Sequence, residues 1–79
     1  YPNPFNPKTT IEFSIRDLEN VEITIYDIQG KKIEVITSEV YSPGHYSLEW
    51  NGEKYSSGVY FVKMVSENFI DTQKLMLMK

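Results

Sequence analysis

Residues 21–37, VEITIYDIQGKKIEVIT, decide how the chain folds. Val21, Ile23 and Ile25 alternate with Glu22, Thr24 and Tyr26, which is the pattern of a strand with one buried face. Asp27-Ile28-Gln29-Gly30 interrupts it and reads as a tight turn, with Gly30 supplying the positive φ. Lys31–Thr37 returns as a second strand, so the segment predicts a hairpin with Val21, Ile23 and Ile25 facing inward and Glu22, Thr24 and Tyr26 facing out.

The flanks repeat the pattern. Upstream, Ile11, Phe13 and Ile15 share one face and Thr10, Glu12 and Ser14 the other, with the charged stretch Arg16–Asn20 as the connection. Downstream, Ser38–Gly44 reads as a loop ending in Pro43-Gly44. Tyr46, Leu48 and Trp50 then alternate with Ser47 and Glu49, and Asn51-Gly52 is a turn dipeptide whose loop runs on through Ser57. Gly58–Ser66 is apolar on both faces, as a central strand would be, and Phe69–Met78 forms the last strand after a turn at Glu67-Asn68. Short strands spaced by turns predict an all-β fold, an immunoglobulin-like antiparallel β-sandwich of about seven strands. Two sheets share one core, for which Trp50, Phe13, Phe61, Ile23, Ile25 and Leu48 are the candidates.

Composition agrees. Eight Ile, six Val, five Thr, six Tyr and four Phe favour strand, and alanine, the best helix former, is absent. The 79 residues allow one domain, 1–79, with a proline-rich junction over 1–8 and the sandwich over 9–79. Pro2, Pro4 and Pro7 keep that junction out of any central ladder. With no cysteine and a single histidine, His45, neither disulfides nor a zinc staple is available. The net charge of −3 argues against a nucleic-acid partner. No apolar run is long enough to cross a membrane. The chain opens at Tyr1 without a leader, so it is expected to be a piece of a longer protein.

Catalytic chemistry finds little support. Glu12, Glu22, Glu34 and Glu49 occupy outward strand positions, which reads as a solvated face rather than a paired-carboxylate site. Asp17, Glu19 and Asn20 do not have the spacing of a calcium loop, and a lone His45 is poor evidence for catalysis. No cofactor, metal site or enzyme activity is expected. Tyr26, Tyr41, Tyr46, Tyr55 and Tyr60 offer two readings, sheet packing or a platform for sugar rings. The last strand, Gln73–Lys79, is apolar on both faces and bracketed by Lys74 and Lys79. As an inner strand it would be plain core; as an edge it would invite strand addition by a partner.

Five motifs occur in a fixed order. They are Tyr1-Pro2-Asn3-Pro4-Phe5-Asn6-Pro7 with Thr9-Thr10-Ile11, then VEITIYDIQG, Gly44-His45-Tyr46 through Trp50-Asn51-Gly52, Ser57-Gly58-Val59-Tyr60-Phe61, and Lys74–Lys79. In this order the chain resembles the type A C-terminal sorting domain of the type IX secretion system over essentially its whole length. It is also similar to the immunoglobulin-like domain of flagellar hook-capping proteins, but the proline-rich opening and lysine-ended tail fit the sorting domain better. The resemblance implies a non-catalytic address on a larger cargo protein. The cargo would pass through the periplasm, be recognised by the outer-membrane translocon and its shuttle protein, and reach the cell surface or the medium. A sortase-like peptidase would commonly remove the domain. The family positions carried over are Pro2, Asn3, Pro4, Gly58, Tyr60, Lys74 and Lys79. Met76 and Met78 stand where the family often has Val or Leu, a change that conserves volume. The other function classes consistent with the sequence are a carbohydrate-binding module and a structural or adhesive module of a surface protein.

Overall fold

The computed structural model describes residues 7–78. They form six strands: β1 (Lys8–Ile15), β2 (Glu19–Tyr26), β3 (Lys32–Tyr41), β4 (Gly44–Asn51), β5 (Gly58–Ser66) and β6 (Ile70–Leu77). Every pairing is antiparallel. β1 and β4 make a two-stranded sheet, and the larger sheet runs β3-β2-β5-β6. The expected two-layer all-β fold is present, with six strands among the described residues where about seven were expected. Immunoglobulin constant-type sandwiches put one more strand in the smaller sheet.

The hairpin forms as the alternation requires. Asp27 closes it: its Oδ1 accepts from the backbone N–H of Gln29 and of Lys31, each at 2.9 Å. Gly30 sits at φ 84°, which an L side chain rarely adopts. As expected, β5 lies inside the sheet, between β2 and β6.

The structure differs from the sequence reading at several places. Ser38–Tyr41, expected in a loop, continue β3 and pair with Glu22, Val21, Asn20 and Glu19. Only Ser42 and Pro43 separate β3 from β4. Phe61, expected in the core, lies on the outer face, because the core side of β5 is taken by Tyr60, Val62 and Met64. In a strand apolar on both faces, alternation alone cannot choose the side. Thr24 faces outward but is buried, flanked by Val35 and Lys63 on the neighbouring strands.

The core lies between the sheets. Val21, Ile23, Ile25 and Trp50 are wholly buried, with Phe13, Ile15, Tyr60 and Leu77 close behind. Leu48 is half-buried against the same core. Rings gather in two groups. Phe13, Tyr41 and Tyr46 pack with centroids 4.8–5.4 Å apart, and Trp50, Tyr55 and Tyr60 with centroids 5.6–6.4 Å apart. Two tyrosines tie strand starts to the residues before them: Tyr60 donates to the Ser56 carbonyl and Tyr46 to the Ser42 carbonyl, both at 2.6 Å. No buried side-chain polar atom among the described residues lacks a partner.

One side of the sandwich is sealed where β4 meets β3. Trp50 Nε1 donates to Glu34 Oε1 at 3.2 Å, and the Tyr55 hydroxyl reaches the same oxygen and the Ile33 carbonyl, each at 3.2 Å. Glu34 was expected to face solvent. Two register shifts between β2 and β3 place Ile33 and Glu34 together on the inner side.

Two predictions follow the packing. A Cβ on Gly52 would lie 3.0 Å from both Leu77 methyls and 3.1 Å from the Trp50 ring. Gly52→Ala is therefore expected to cost about 1–3 kcal/mol in a urea titration, by overpacking. Tyr55 titrates above its usual range because burial, and then the Glu34 carboxylate, disfavour the phenolate. Its stabilising effect is complete below the unfolded value of about 10 and is lost as pH rises through the higher folded value. Urea midpoints should fall as pH is raised above about 10, and Tyr55→Phe should flatten part of that fall.

Candidate functional site

The side opposite the seal is open. There β1 and β6 are outer strands of their sheets, so each has one edge without a strand partner among the described residues. β6 pairs with β5 through eight consecutive residue pairs, Gly58↔Leu77 to Val65↔Ile70, with no register shift. The other edge of the large sheet, β3, is blunted by its two register shifts and by the Tyr55 hydroxyl on the Ile33 carbonyl. β6 is thus the long, regular edge of that sheet, the kind that accepts an added strand.

Its flanking surface is apolar and free of acid. On the outer face of β5 and β6 stand Val59, Phe61, Lys63 and Val65, opposite Met76, Lys74, Thr72 and Ile70. Ile70 is 67% exposed and Met76 57%. The chain carries eleven acidic groups, yet these eight positions hold none and include two lysines. The outer face of the small sheet is the reverse: Thr10, Glu12 and Ser14 face Glu49, Ser47 and His45. A sandwich with both outer faces in water would be polar on both. Exposed apolar side chains on this face, Ile70 and Met76, make it the candidate interaction surface.

Of the residues singled out in the sequence, Lys74 lies on this face, exposed and opposite Phe61. Gly58 and Tyr60 lie at the start of β5, in the same sheet. Gly58 has φ 151° with open space around its missing side chain, so the backbone angle is what a larger residue would strain. Tyr60 points into the core. Pro2, Asn3, Pro4 and Lys79 lie outside the described residues.

Most of the tyrosines are taken up in packing. Tyr41, Tyr46, Tyr55 and Tyr60 pack into the two ring groups, and Tyr41 stands edge-on to both Phe13 and Tyr46, at 81° and 76°, so these rings form no flat platform. Tyr26 remains on the outer face, with Lys63 Nζ 6.0 Å from its ring centroid. His45 is exposed, its Nδ1 2.7 Å from Ser14 Oγ across the β1–β4 pair. Among the described residues, no group of three or more His, Asp or Glu side chains is placed to hold a metal ion. Glu19 opens β2, buried, and accepts from Asn68 Nδ2 at 3.2 Å. No helix is long and apolar enough to cross a membrane, among the described residues.

The sequence reading left open whether the last strand is core or edge. It also missed the outer face, having assigned Phe61 to the interior. The run of Val59, Phe61 and Val65 against Tyr60, Val62 and Met64 was the available signal, since both faces are apolar but only one can meet the small sheet.

If the face is free as described, Ile70→Thr with Met76→Thr should change the unfolding free energy by less than about 1 kcal/mol. Ile25→Ala in the core should cost about 2–5 kcal/mol. Urea titrations of the two variants check this, and a large loss in the first would mean that the face is packed.

A family model described as secretion system C-terminal sorting domain matches residues 1–78. No curated protein and no solved structure matches the chain. The match spans nearly every residue. The chain belongs to the family of C-terminal sorting domains of the type IX secretion system.

Proposed function

We propose that the domain is read at the β6 edge by the outer-membrane translocon and its shuttle protein, and that a sortase-like peptidase then removes it from the cargo. As a sorting domain it is part of a larger protein destined for the cell surface or the medium, and its family is not a catalytic one. The observation that carries the recognition step is the eight-residue, shift-free β6 edge beside an apolar, acid-free face bearing Lys74. An added strand would gain main-chain hydrogen bonds along β6, with Phe61, Met76 and Lys74 beside it to select side chains. A carboxylate opposite Lys74 would complete the contact.

The remaining family positions take supporting roles. Gly58 and Tyr60 fix the start of β5, which holds β6 in register. Pro2, Asn3 and Pro4 would keep the junction extended and accessible to a peptidase, and Lys79 would add a second cation at the end of the tail. Periplasmic transit precedes recognition in this scheme.

The test is a reporter fused to the domain in a host with a working type IX system. Lys74→Glu should lower surface delivery several-fold and leave folded reporter in the periplasm. Lys74 is exposed, so Lys74→Glu should leave stability within about 0.5 kcal/mol. Unchanged delivery by Lys74→Glu would contradict the reading.

A further inference from the structure

The chain has five asparagines, and Asn51 alone is followed by glycine. Asn3 and Asn6 precede prolines, which have no N–H, and Asn20 and Asn68 precede the bulky Val21 and Phe69. An asparagine before glycine is open to a reaction within its own chain. The glycine amide nitrogen gives up its proton and attacks the asparagine Cγ. A new N–Cγ bond closes a five-membered imide, the Cγ–Nδ2 bond breaks, and ammonia leaves with the proton. Water then opens the ring on either side. One product is aspartate; the other is isoaspartate, which carries one extra methylene in the main chain.

In this domain the reacting groups are adjacent but engaged. Asn51 is exposed and ends β4, so water reaches its carboxamide. The Gly52 N–H donates to the Pro7 carbonyl at 3.1 Å, and Asn51 Oδ1 accepts from the Glu53 N–H at 2.9 Å. Asn51 is extended, as a strand residue, and ring closure needs its backbone to rotate until Gly52 N meets Cγ. Attack therefore waits until Pro7 lets go of the Gly52 amide and Asn51 leaves the ladder. Lys8↔Asn51 is the terminal pair of β1 with β4. Strand ends open locally more often than a whole domain unfolds.

We infer that Asn51 is a self-modification site, protected in the closed domain by the Pro7–Gly52 hydrogen bond and converted to isoaspartate and aspartate when that bond opens. The inference goes beyond the sorting reading and does not depend on it. The two products differ in consequence. Aspartate keeps the oxygen that receives the Glu53 N–H. Isoaspartate lengthens the chain between Trp50 and Gly52, where a single carbon added to Gly52 would already lie 3.0 Å from the Leu77 methyls. Leu77 ends β6, so conversion loosens the anchor of that strand.

In the test, the full chain is kept at mildly alkaline pH, folded and in guanidinium chloride, and its peptides are followed by mass spectrometry with an isoaspartate assay. Amide-to-acid conversion should appear at Asn51 ahead of Asn20 and Asn68, and roughly tenfold or more faster in denaturant. In denaturant, where folding is immaterial, Gly52→Val should slow it several-fold. The Gly52 amide should be protected from hydrogen exchange in the folded domain. The isoaspartate fraction should unfold at lower denaturant than Asn51→Asp. No conversion at Asn51 in denaturant, equal rates folded and unfolded, or a Gly52 amide that exchanges as fast as in the unfolded chain would each overturn the inference.

Discussion

Two strands cannot cover four. The β1–β4 sheet spans only part of the β3-β2-β5-β6 sheet, and the rest of the molecule follows from where the uncovered part falls. Over β2 the cover is complete: Val21, Ile23 and Ile25 are wholly buried, as is Trp50 of the small sheet. Over β5 the inward side chains of Val62 and Met64 stay half-exposed. Over β6 the inward positions Asp71 and Gln73 are polar and exposed, as residues without a facing sheet should be.

The covered half carries the stability. A domain of this size has roughly 5 kcal/mol to spare and no disulfide to add to it. Truncating a buried tryptophan costs about 3–5 kcal/mol, so Trp50 alone is comparable with the whole margin. Its indole N–H is held by Glu34, which also receives the Tyr55 hydroxyl, and Leu77 and Gly52 close over the ring. Leu77, the last residue of β6, anchors the strand on this side. The rest of β6, out to Ile70, leaves the packed body as a supported edge.

Much of this was legible in the residues. Strict alternation at Ile11, Phe13 and Ile15, and at Val21, Ile23 and Ile25, placed β1, β2 and their buried faces. The turn at Asp27–Gly30 was legible because Asp and Gly have specific turn chemistry there. The failures share a cause: alternation carries no information where both faces are apolar or both polar. Phe61 in β5 is the first of these cases; Ser38–Tyr41 in β3 mix one polar and one apolar residue on each face, which leaves alternation equally silent. Glu34 was hidden differently, because a register shift turns a residue inward without leaving a mark in the pattern. The candidate surface was visible only as a question, whether the lysine-bracketed strand is edge or core. Strand order answered it, and strand order is set by contacts distant in sequence.

The claim that the domain is read at β6 and not at its blunted opposite edge can be tested by site-specific photo-crosslinking in a type IX-competent host. A photoreactive residue would replace Thr72 on β6 in one cargo fusion and Ser38 on β3 in another, both exposed positions. Crosslinks to translocon components from position 72 and none from position 38 are the predicted result. Equal crosslinking from both positions, or crosslinking from position 38 alone, would contradict it.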